Sequence, residues 1–145
     1  MRILISACLL GASCRYDGRS KPHPEVLKLA ERHQLVPLCP EQLGGLPTPR
    51  MPSERQGERV VTADGTDVTE QYQRGSEEAL RLCRLLGCDV AVLKERSPSC
   101  GKERIYDGTF SGTLADGWGV TAELLRDNGI PVYGESKIDL LLKQK

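Results

Sequence analysis

Short apolar runs alternate along the chain with longer segments whose apolar residues recur at helical spacing. The runs predict four buried strands, at residues 2–7, 35–38, 89–93 and 131–133. Apolar positions three and four residues apart predict helices between the strands, namely a short one from Pro24, one at residues 70–86, and one ending near Gly129. Strands and helices are therefore expected to alternate along the whole chain.

Polar side chains mark the expected starts of the later helices. Thr113 and Asp116 fit a capping box, in which two side chains bond the first free amides of a helix, and so predict the start of the third helix. Ser136 is expected to cap a final helix in the same manner.

Turn residues predict two long loops and one excursion from the main sheet. The proline-containing stretch after Cys39 is expected to be a fixed loop without a helix, and a second loop is expected at residues 94–112. Ala63-Asp64-Gly65 lies between two short runs, and it predicts a small hairpin formed by residues 58–62 and 66–69.

Strands that alternate with helices indicate parallel pairing through right-handed crossovers. We therefore expect an α/β fold in which residues 1–145 form a single domain. It should be a three-layer sandwich with a mostly parallel sheet of about four strands, helices on both faces and the small hairpin outside it. Ligands of such sheets bind beyond the carboxyl ends of the strands, so candidate chemistry is sought there.

The overall charge gives no indication of a nucleic-acid or membrane partner. Twenty basic residues balance twenty acidic ones, so no basic excess favours folded nucleic acid or a membrane surface. No apolar stretch approaches the roughly 18 residues of a membrane span, and no export signal is recognised. We therefore expect a cytoplasmic protein. In that compartment its six cysteines are expected to bind metal or act in catalysis rather than to form disulfides.

Three cysteines, Cys8, Cys39 and Cys100, lie at or shortly after the ends of three different predicted strands. They should therefore converge on one edge of the sheet. Thiolates that share a site repel one another, and a bound cation stabilises the arrangement. Wide spacing without cysteine pairs favours an iron-sulfur cluster over structural zinc, and a four-iron cluster with three protein ligands leaves one iron open as a Lewis acid.

The other three cysteines allow different interpretations. Cys14 follows Cys8 in the same loop, and it could be a fourth ligand or a disulfide partner. Cys83 lies on the apolar face of its helix and Cys88 opens a strand, where cysteine commonly acts as a small buried hydrophobe.

Four separated motifs follow one another along nearly the whole chain. They are Ser6-Ala7-Cys8-Leu9-Leu10-Gly11 with Arg15-Tyr16-Asp17-Gly18, Cys39-Pro40-Glu41, Pro49-Arg50, and Ser97-Pro98-Ser99-Cys100-Gly101. In these motifs the chain resembles the thiouracil desulfidase family. The resemblance implies a 4Fe-4S cluster held by Cys8, Cys39 and Cys100, whose fourth iron binds the sulfur of the substrate. It also implies that Cys14 is dispensable to the cluster.

The resemblance further implies that Glu41 and Ser97 are the catalytic residues. Glu41 would activate water for attack on the carbon that carries sulfur, and Ser97 would relay a proton or orient the water. Each of the two side chains is next to a proline, which stiffens its loop.

Three further residues are candidates for substrate binding. Arg50 could bind an anionic part of the substrate or tie loops together, and Asp17 could contact substrate or only form an Asp-Gly turn. Ser99 is an alternative to Ser97, although its hydroxyl could simply bond a loop amide. His23 and His33 have no partner at metal-ligand spacing and are expected at the surface.

The function implied by the resemblance is non-redox desulfuration of a thiolated base or nucleotide, for example of 2-thiouracil to uracil and sulfide. Neither folded nucleic acid nor a membrane is expected as a partner, and no oligomeric state is predicted. The alternative is a non-catalytic metal-binding or redox-sensing module, in which Cys8, Cys14, Cys39 and Cys100 form a closed four-cysteine site.

Overall fold

The structure, a computed structural model, describes residues 1–143. Its strands are β1 (Arg2–Ser6), β2 (Gln34–Leu38), β3 (Ser53–Gln56), β4 (Arg59–Thr62), β5 (Val90–Leu93), β6 (Arg104–Tyr106), β7 (Leu114–Asp116) and β8 (Val132–Gly134). Its α-helices are α1 (Pro24–Leu27), α2 (Pro40–Leu43), α3 (Thr69–Leu85), α4 (Val120–Asp127) and α5 (Asp139–Lys143). Within these residues every helix is too short or too polar to cross a membrane.

Four parallel strands form the central sheet, in the order β2-β1-β5-β8. Each of the four predicted strands belongs to this sheet. All four residues of β5 are buried, as expected for a parallel strand that helices cover on both faces. β3 pairs with β4, and β6 with β7, as two antiparallel hairpins outside the sheet.

Side chains of β1 alternate between the two faces of the sheet and so contribute to two separate cores. Ile3 and Ile5 pack with α1 and α5 on one face, whereas Leu4 packs with α3 and α4 on the other. The expected single-domain three-layer α/β sandwich is therefore confirmed. Because α1 and α3 cover opposite faces, the connections change direction between β1 and β5, and ligands of such folds bind at that crevice.

The predicted hairpin around Asp64 is confirmed only in part. Its two segments share one antiparallel bridge, between Val61 and Asp67, which is flanked by backbone hydrogen bonds from Thr62 to Thr66 and from Val68 to Val60. The longer hairpin is formed by β3 and β4, and its turn is at Gly57, whose φ of 63° lies in the left-handed region that glycine tolerates.

The predicted capping box at Thr113 and Asp116 is wrong. Both residues belong to the β6–β7 hairpin region, which interrupts the expected loop at residues 94–112. Helix α4 begins only at Val120, and its N-cap is Gly119. Carbonyl groups of a distant loop bond its first amides, and this arrangement has no local sequence signature.

Three smaller expectations need correction. The stretch after Cys39 contains the short helix α2, which has Pro40 in its first turn, where proline is tolerated. Ser136 does not cap α5, because its hydroxyl binds the carboxylate of Glu95. His33 is buried, not at the surface, and its Nε2 lies 2.9 Å from the carbonyl oxygen of Leu141.

Candidate active site

Cysteines follow the carboxyl ends of three adjacent strands. Cys8 lies in a single 3-10 turn directly after β1, Cys39 is the N-cap of α2 directly after β2, and Cys100 lies in the loop that follows β5. Cys8 and Cys100 are buried, and Cys39 is partly exposed. The structure therefore brings these three predicted ligands to one edge of the sheet.

Cys14 also lies at this edge, between Cys8 and Cys39. Its thiol lies near the thiols of both residues, and its carbonyl oxygen accepts a hydrogen bond from the Cys39 thiol at 3.7 Å. Cys100 lies near Cys39 and Glu41. Four thiols are therefore near one another at this edge.

Cys39 and Cys100 both have raised pKa values. Hydrogen bonding to Cys14, together with burial, raises the pKa of Cys39 far above its ordinary value. Burial raises the pKa of Cys100 to about 12. A metal centre that binds here must therefore displace protons and compensate the charge of closely spaced thiolates.

The donor set has the chemistry of an iron-sulfur site. Cysteine thiolates are the usual ligands of iron-sulfur clusters, and each thiolate binds a different iron atom. The thiols and their burial therefore fit the cluster that the sequence resemblance implies. Within residues 1–143 no group of three cysteine, histidine or carboxylate side chains has the geometry of a site for one metal ion.

Glu41 lies in the first turn of α2, two residues after Cys39, and its carboxylate has two strong partners. Arg50 Nε is 3.2 Å from its Oε2 atom, and the hydroxyl of Tyr72 donates to the same atom at 2.6 Å. The Arg50 and Glu41 side chains are only 6% and 17% exposed. The carboxylate is therefore held in one orientation beside the cysteines.

Arg50 ties the loops of the site together. Its guanidinium donates to the carbonyl oxygen of Cys14 at 3.0 Å and to Thr48 Oγ1 at 3.0 Å, in addition to Glu41. Its backbone amide donates to the carbonyl oxygen of Tyr16 at 2.7 Å. The structure thus supports the loop-tying interpretation of Arg50, and its substrate-binding role stays a prediction.

Helices α2 and α3 touch through two glycines, and this contact brings Tyr72 to Glu41. A Cβ atom on Gly44 would lie 1.9 Å from the backbone oxygen of Gln71, and one on Gly75 would lie 1.9 Å from that of Pro40. No side chain fits in either gap. The backbones can therefore approach closely enough for a tyrosine of one helix to bond a glutamate of the other.

Ser97 stabilises the loop that presents Cys100. Its hydroxyl oxygen accepts hydrogen bonds from the amides of Ser99 and Cys100 at 3.0 and 3.1 Å. Ser99 is buried, and its hydroxyl lies 2.9 Å from that of Thr121. Ser97 therefore has a structural role whether or not it is catalytic, and substrate contact by Ser99 stays a prediction.

The same loop binds the start of α4. Carbonyl oxygens of Pro98 and Ser99 each accept a hydrogen bond at 2.8 Å, from the amides of Val120 and Thr121 respectively. A Cβ atom on Gly119 would lie only 2.4 Å from the backbone of Ser99, so glycine is needed there. The helix and the loop consequently fix each other, and Cys100 occupies a rigid position.

Asp17 is exposed, and its carboxylate accepts the amide of Arg19 at 3.0 Å within a tight turn. Its contact with substrate stays a prediction. One side chain that the sequence had not indicated belongs to the site: the Tyr72 hydroxyl donates to Glu41. Tyr72 lies in an ordinary amphipathic helix and carries no sequence signal of this role. Ser6, the first residue of the first motif, is buried at the end of β1, and its hydroxyl accepts the amide of Lys94 at 2.9 Å.

A cavity of about 550 Å³ lies at the opposite edge of the sheet. Its lining includes Arg2, His33 and Asp89, which lie at or just before the amino ends of β1, β2 and β5. This cavity contains no thiol. Side-chain chemistry, rather than cavity volume, therefore identifies the candidate active site.

Comparisons with known proteins identify the family to which the chain is similar. The family model for 2-thiouracil desulfurase matches residues 3–137. An uncharacterized protein of Bacillus subtilis (strain 168), YbbK, is 41% identical over 150 residues, covering 97% of this chain and 99% of its own. A solved structure of the 4Fe-4S-dependent thiouracil desulfidase TudS is 50% identical, has a TM-score of 0.88, and is matched over 97% of this chain and 94% of its own.

Proposed function

The chain belongs to the 2-thiouracil desulfurase family, and on that basis we propose that it is an iron-sulfur-dependent desulfidase. It converts 2-thiouracil and water into uracil and hydrogen sulfide. The observation that supports this most directly is the meeting of Cys8, Cys39 and Cys100 with Glu41 at the carboxyl edge of the sheet. The whole chain, residues 1–145, acts as one desulfidase domain.

A 4Fe-4S cluster would be held by Cys8, Cys39 and Cys100. The similar protein TudS depends on a cluster of this type. When bound, the cluster supplies a Lewis-acidic iron that polarises the carbon-sulfur bond of the substrate. Burial of Cys8 and Cys100 keeps bulk water away from two of the three ligands. The remaining chemistry falls to side chains of this chain.

Glu41 is the general base. Its carboxylate accepts a proton from the water that attacks the sulfur-bearing carbon, and the two donors on Oε2 keep it oriented for this step. Ser97 accepts two amide hydrogen bonds but keeps its own hydroxyl proton, which it can donate toward substrate or water. Arg50 supplies positive charge beside Glu41, and Asp17 and Ser99 complete the substrate-binding residues.

The substrate is a small thiolated base or nucleotide rather than folded RNA, because the chain has no basic excess to bind a polyanion. We place the enzyme in the cytoplasm. Its six cysteines are all unpaired by disulfides, which fits a reducing compartment where a thiolate-bound cluster can persist.

The alternative function is a closed four-cysteine metal-binding or redox-sensing module. One observation favours it, namely the position of Cys14 beside both Cys8 and Cys39. In the enzyme, Cys14→Ala should retain iron and labile sulfide after anaerobic reconstitution, whereas Cys8→Ala, Cys39→Ala and Cys100→Ala should each lose them. Loss of iron from Cys14→Ala would favour the closed module.

Sulfide release from 2-thiouracil by the anaerobically reconstituted protein tests the enzymatic proposal. Glu41→Gln should retain the cluster absorbance and lower sulfide release by roughly 100-fold or more, because the amide cannot accept the proton. Glu78→Gln is the matched control, since that glutamate pairs with Arg81 on the exposed side of α3. Unchanged turnover in Glu41→Gln would refute the assigned base.

A further inference from the structure

We propose that Tyr72 is a positioning residue which, with Arg50, holds Oε2 of Glu41 and leaves Oε1 as the oxygen that takes the proton. This inference rests on the proposed function and extends it to a residue outside the conspicuous sequence motifs. Tyr72 contacts Glu41, and it is not argued to touch the substrate.

Both donors bind the same carboxylate oxygen. Tyr72 Oη is 2.6 Å and Arg50 Nε is 3.2 Å from Oε2, and Oε1 accepts no hydrogen bond from the residues that the structure describes. Donors on one oxygen oppose rotation of the carboxylate, which would otherwise exchange the two oxygens. They also stabilise negative charge on Oε2, so Oε1 keeps the lone pairs that a water proton can reach.

The Tyr72 hydroxyl keeps its proton and can therefore donate a hydrogen bond to Glu41 at all times. Tyr72 is 2% exposed, and burial together with the charge of Glu41 raises its pKa far above the ordinary value, so the phenol keeps its proton. That proton is donated to Oε2 of Glu41 at 2.6 Å.

The backbone is arranged to permit this bond. Gly44 and Gly75 let α2 and α3 approach so closely that a Cβ atom at either position would lie 1.9 Å from a backbone oxygen. Glycine is unfavourable inside a helix, and Gly75 lies three residues after Tyr72 within α3. The close approach sets the distance between the phenol and the carboxylate.

Tyr72→Phe removes only the hydroxyl and leaves the ring in the core. We expect kcat for sulfide release to fall by about 10- to 100-fold while KM stays within about two-fold, because the misplaced base affects the chemical step and not substrate binding. Cluster absorbance should be unchanged. Tyr106→Phe, on β6, is the matched control and should keep full activity.

A second comparison separates positioning from general packing. In a Glu41→Gln background, Tyr72→Phe should cause no further fall in turnover, since its effect acts through Glu41. The Raman signature of the tyrosine hydrogen bond in the holoenzyme gives a readout independent of activity. Glu41→Gln should shift the Raman band that arises from Tyr72. Tyr72→Phe should remove that band.

The outcomes distinguish this inference from the function on which it rests. Full activity in Tyr72→Phe would overturn the positioning role and leave the proposed desulfidase function intact. An equal loss of activity and cluster on adding Tyr72→Phe to the wild type and to Glu41→Gln would have the same meaning. Absence of sulfide release from the wild-type holoenzyme with every thiolated base would refute the proposed function, and the positioning role with it.

Discussion

At the scale of single residues, Arg50 shows how one side chain can order a site. Its guanidinium is nearly buried and bonds a carboxylate, a hydroxyl and two backbone carbonyls, which belong to Glu41, Thr48, Pro47 and Cys14. The planar fork of arginine satisfies these acceptors in several directions at once, whereas a lysine ammonium has three donors on a flexible stem. Charge alone is therefore not the property that this position requires.

Arg50→Lys should keep the charge and still fail to order the loops. We expect the free energy of unfolding, measured by urea denaturation of the reconstituted protein, to fall by about 2 kcal/mol, because several buried acceptors lose their donors. Arg59→Lys is the control, since the Arg59–Asp67 pair is largely exposed and should change stability little. Equal stability of the two variants would show that Arg50 is not a structural tie.

Ser97 has a structural contact and a proposed chemical role, and two substitutions separate them. Ser97→Asn retains an oxygen that can accept the amides of Ser99 and Cys100, but it has no hydroxyl proton to donate. It should keep the cluster and lose turnover by roughly 100-fold. Ser97→Ala should lose iron as well, measured by iron and sulfide content, because the loop that presents Cys100 loses its acceptor.

At the scale of elements, the contact between α2 and α3 determines the geometry of Glu41. Two short backbone segments meet where Gly44 and Gly75 remove the side chains that would keep them apart. The start of α4 is likewise determined by a distant segment, because carbonyl oxygens of the loop from Ser97 to Gly101 accept its first amides. Both contacts join elements that are distant in the chain, so the site depends on packing between elements more than on any local motif.

Gly75→Ala should reverse the usual effect of this substitution. In an ordinary helix interior alanine stabilises by roughly 1 kcal/mol relative to glycine, but here the new methyl group would collide with the backbone oxygen of Pro40. We expect the free energy of unfolding to fall by about 1–3 kcal/mol and turnover to fall with it. Glu77→Ala, on the exposed side of α3, serves as the control. A more stable Gly75→Ala would contradict the close contact.

The elements that the sequence predicted well are those with a strong periodic pattern. All four sheet strands, the helix observed as α3 and the convergence of Cys8, Cys39 and Cys100 follow from apolar runs, helical spacing and parallel topology. Nothing local predicted the start of α4, because its cap comes from Pro98 and Ser99. The β3–β4 hairpin was not predicted, because its turn at Gly57 lacks the Asp-Gly pair that marked the turn at Asp64.

At the scale of the whole molecule, the sheet supplies a rigid platform and its carboxyl edge carries the chemistry. The crevice between β1 and β5, where the connections change direction, separates Cys8 from Cys100. With Cys8, Cys39 and Cys100 as the proposed ligands, one bound cluster would join side chains that follow three strands of the sheet. Such a cluster would bind the folded protein and have no equivalent site in the unfolded chain.

Removal of the cluster should consequently destabilise the entire fold. A ligand bound at 100 times its dissociation constant contributes about 2.7 kcal/mol, which corresponds to a fall in Tm of at least about 5 °C when it is removed from a domain of this size. Anaerobic differential scanning calorimetry before and after treatment with an iron chelator measures the difference. Cys83→Ser, at the far end of α3, should leave that difference unchanged, since Cys83 lies away from the edge that binds the cluster.

The wide separation of the three cysteines in the chain has a consequence for how the enzyme matures. Cys8 is synthesised 92 residues before Cys100, and the two can meet only after β5 has paired beside β1. A nascent chain that has not reached Cys100 therefore carries two of the three proposed ligands at most. With this ligand set, we expect iron and sulfide to be incorporated only after synthesis has passed Cys100 and the sheet has assembled.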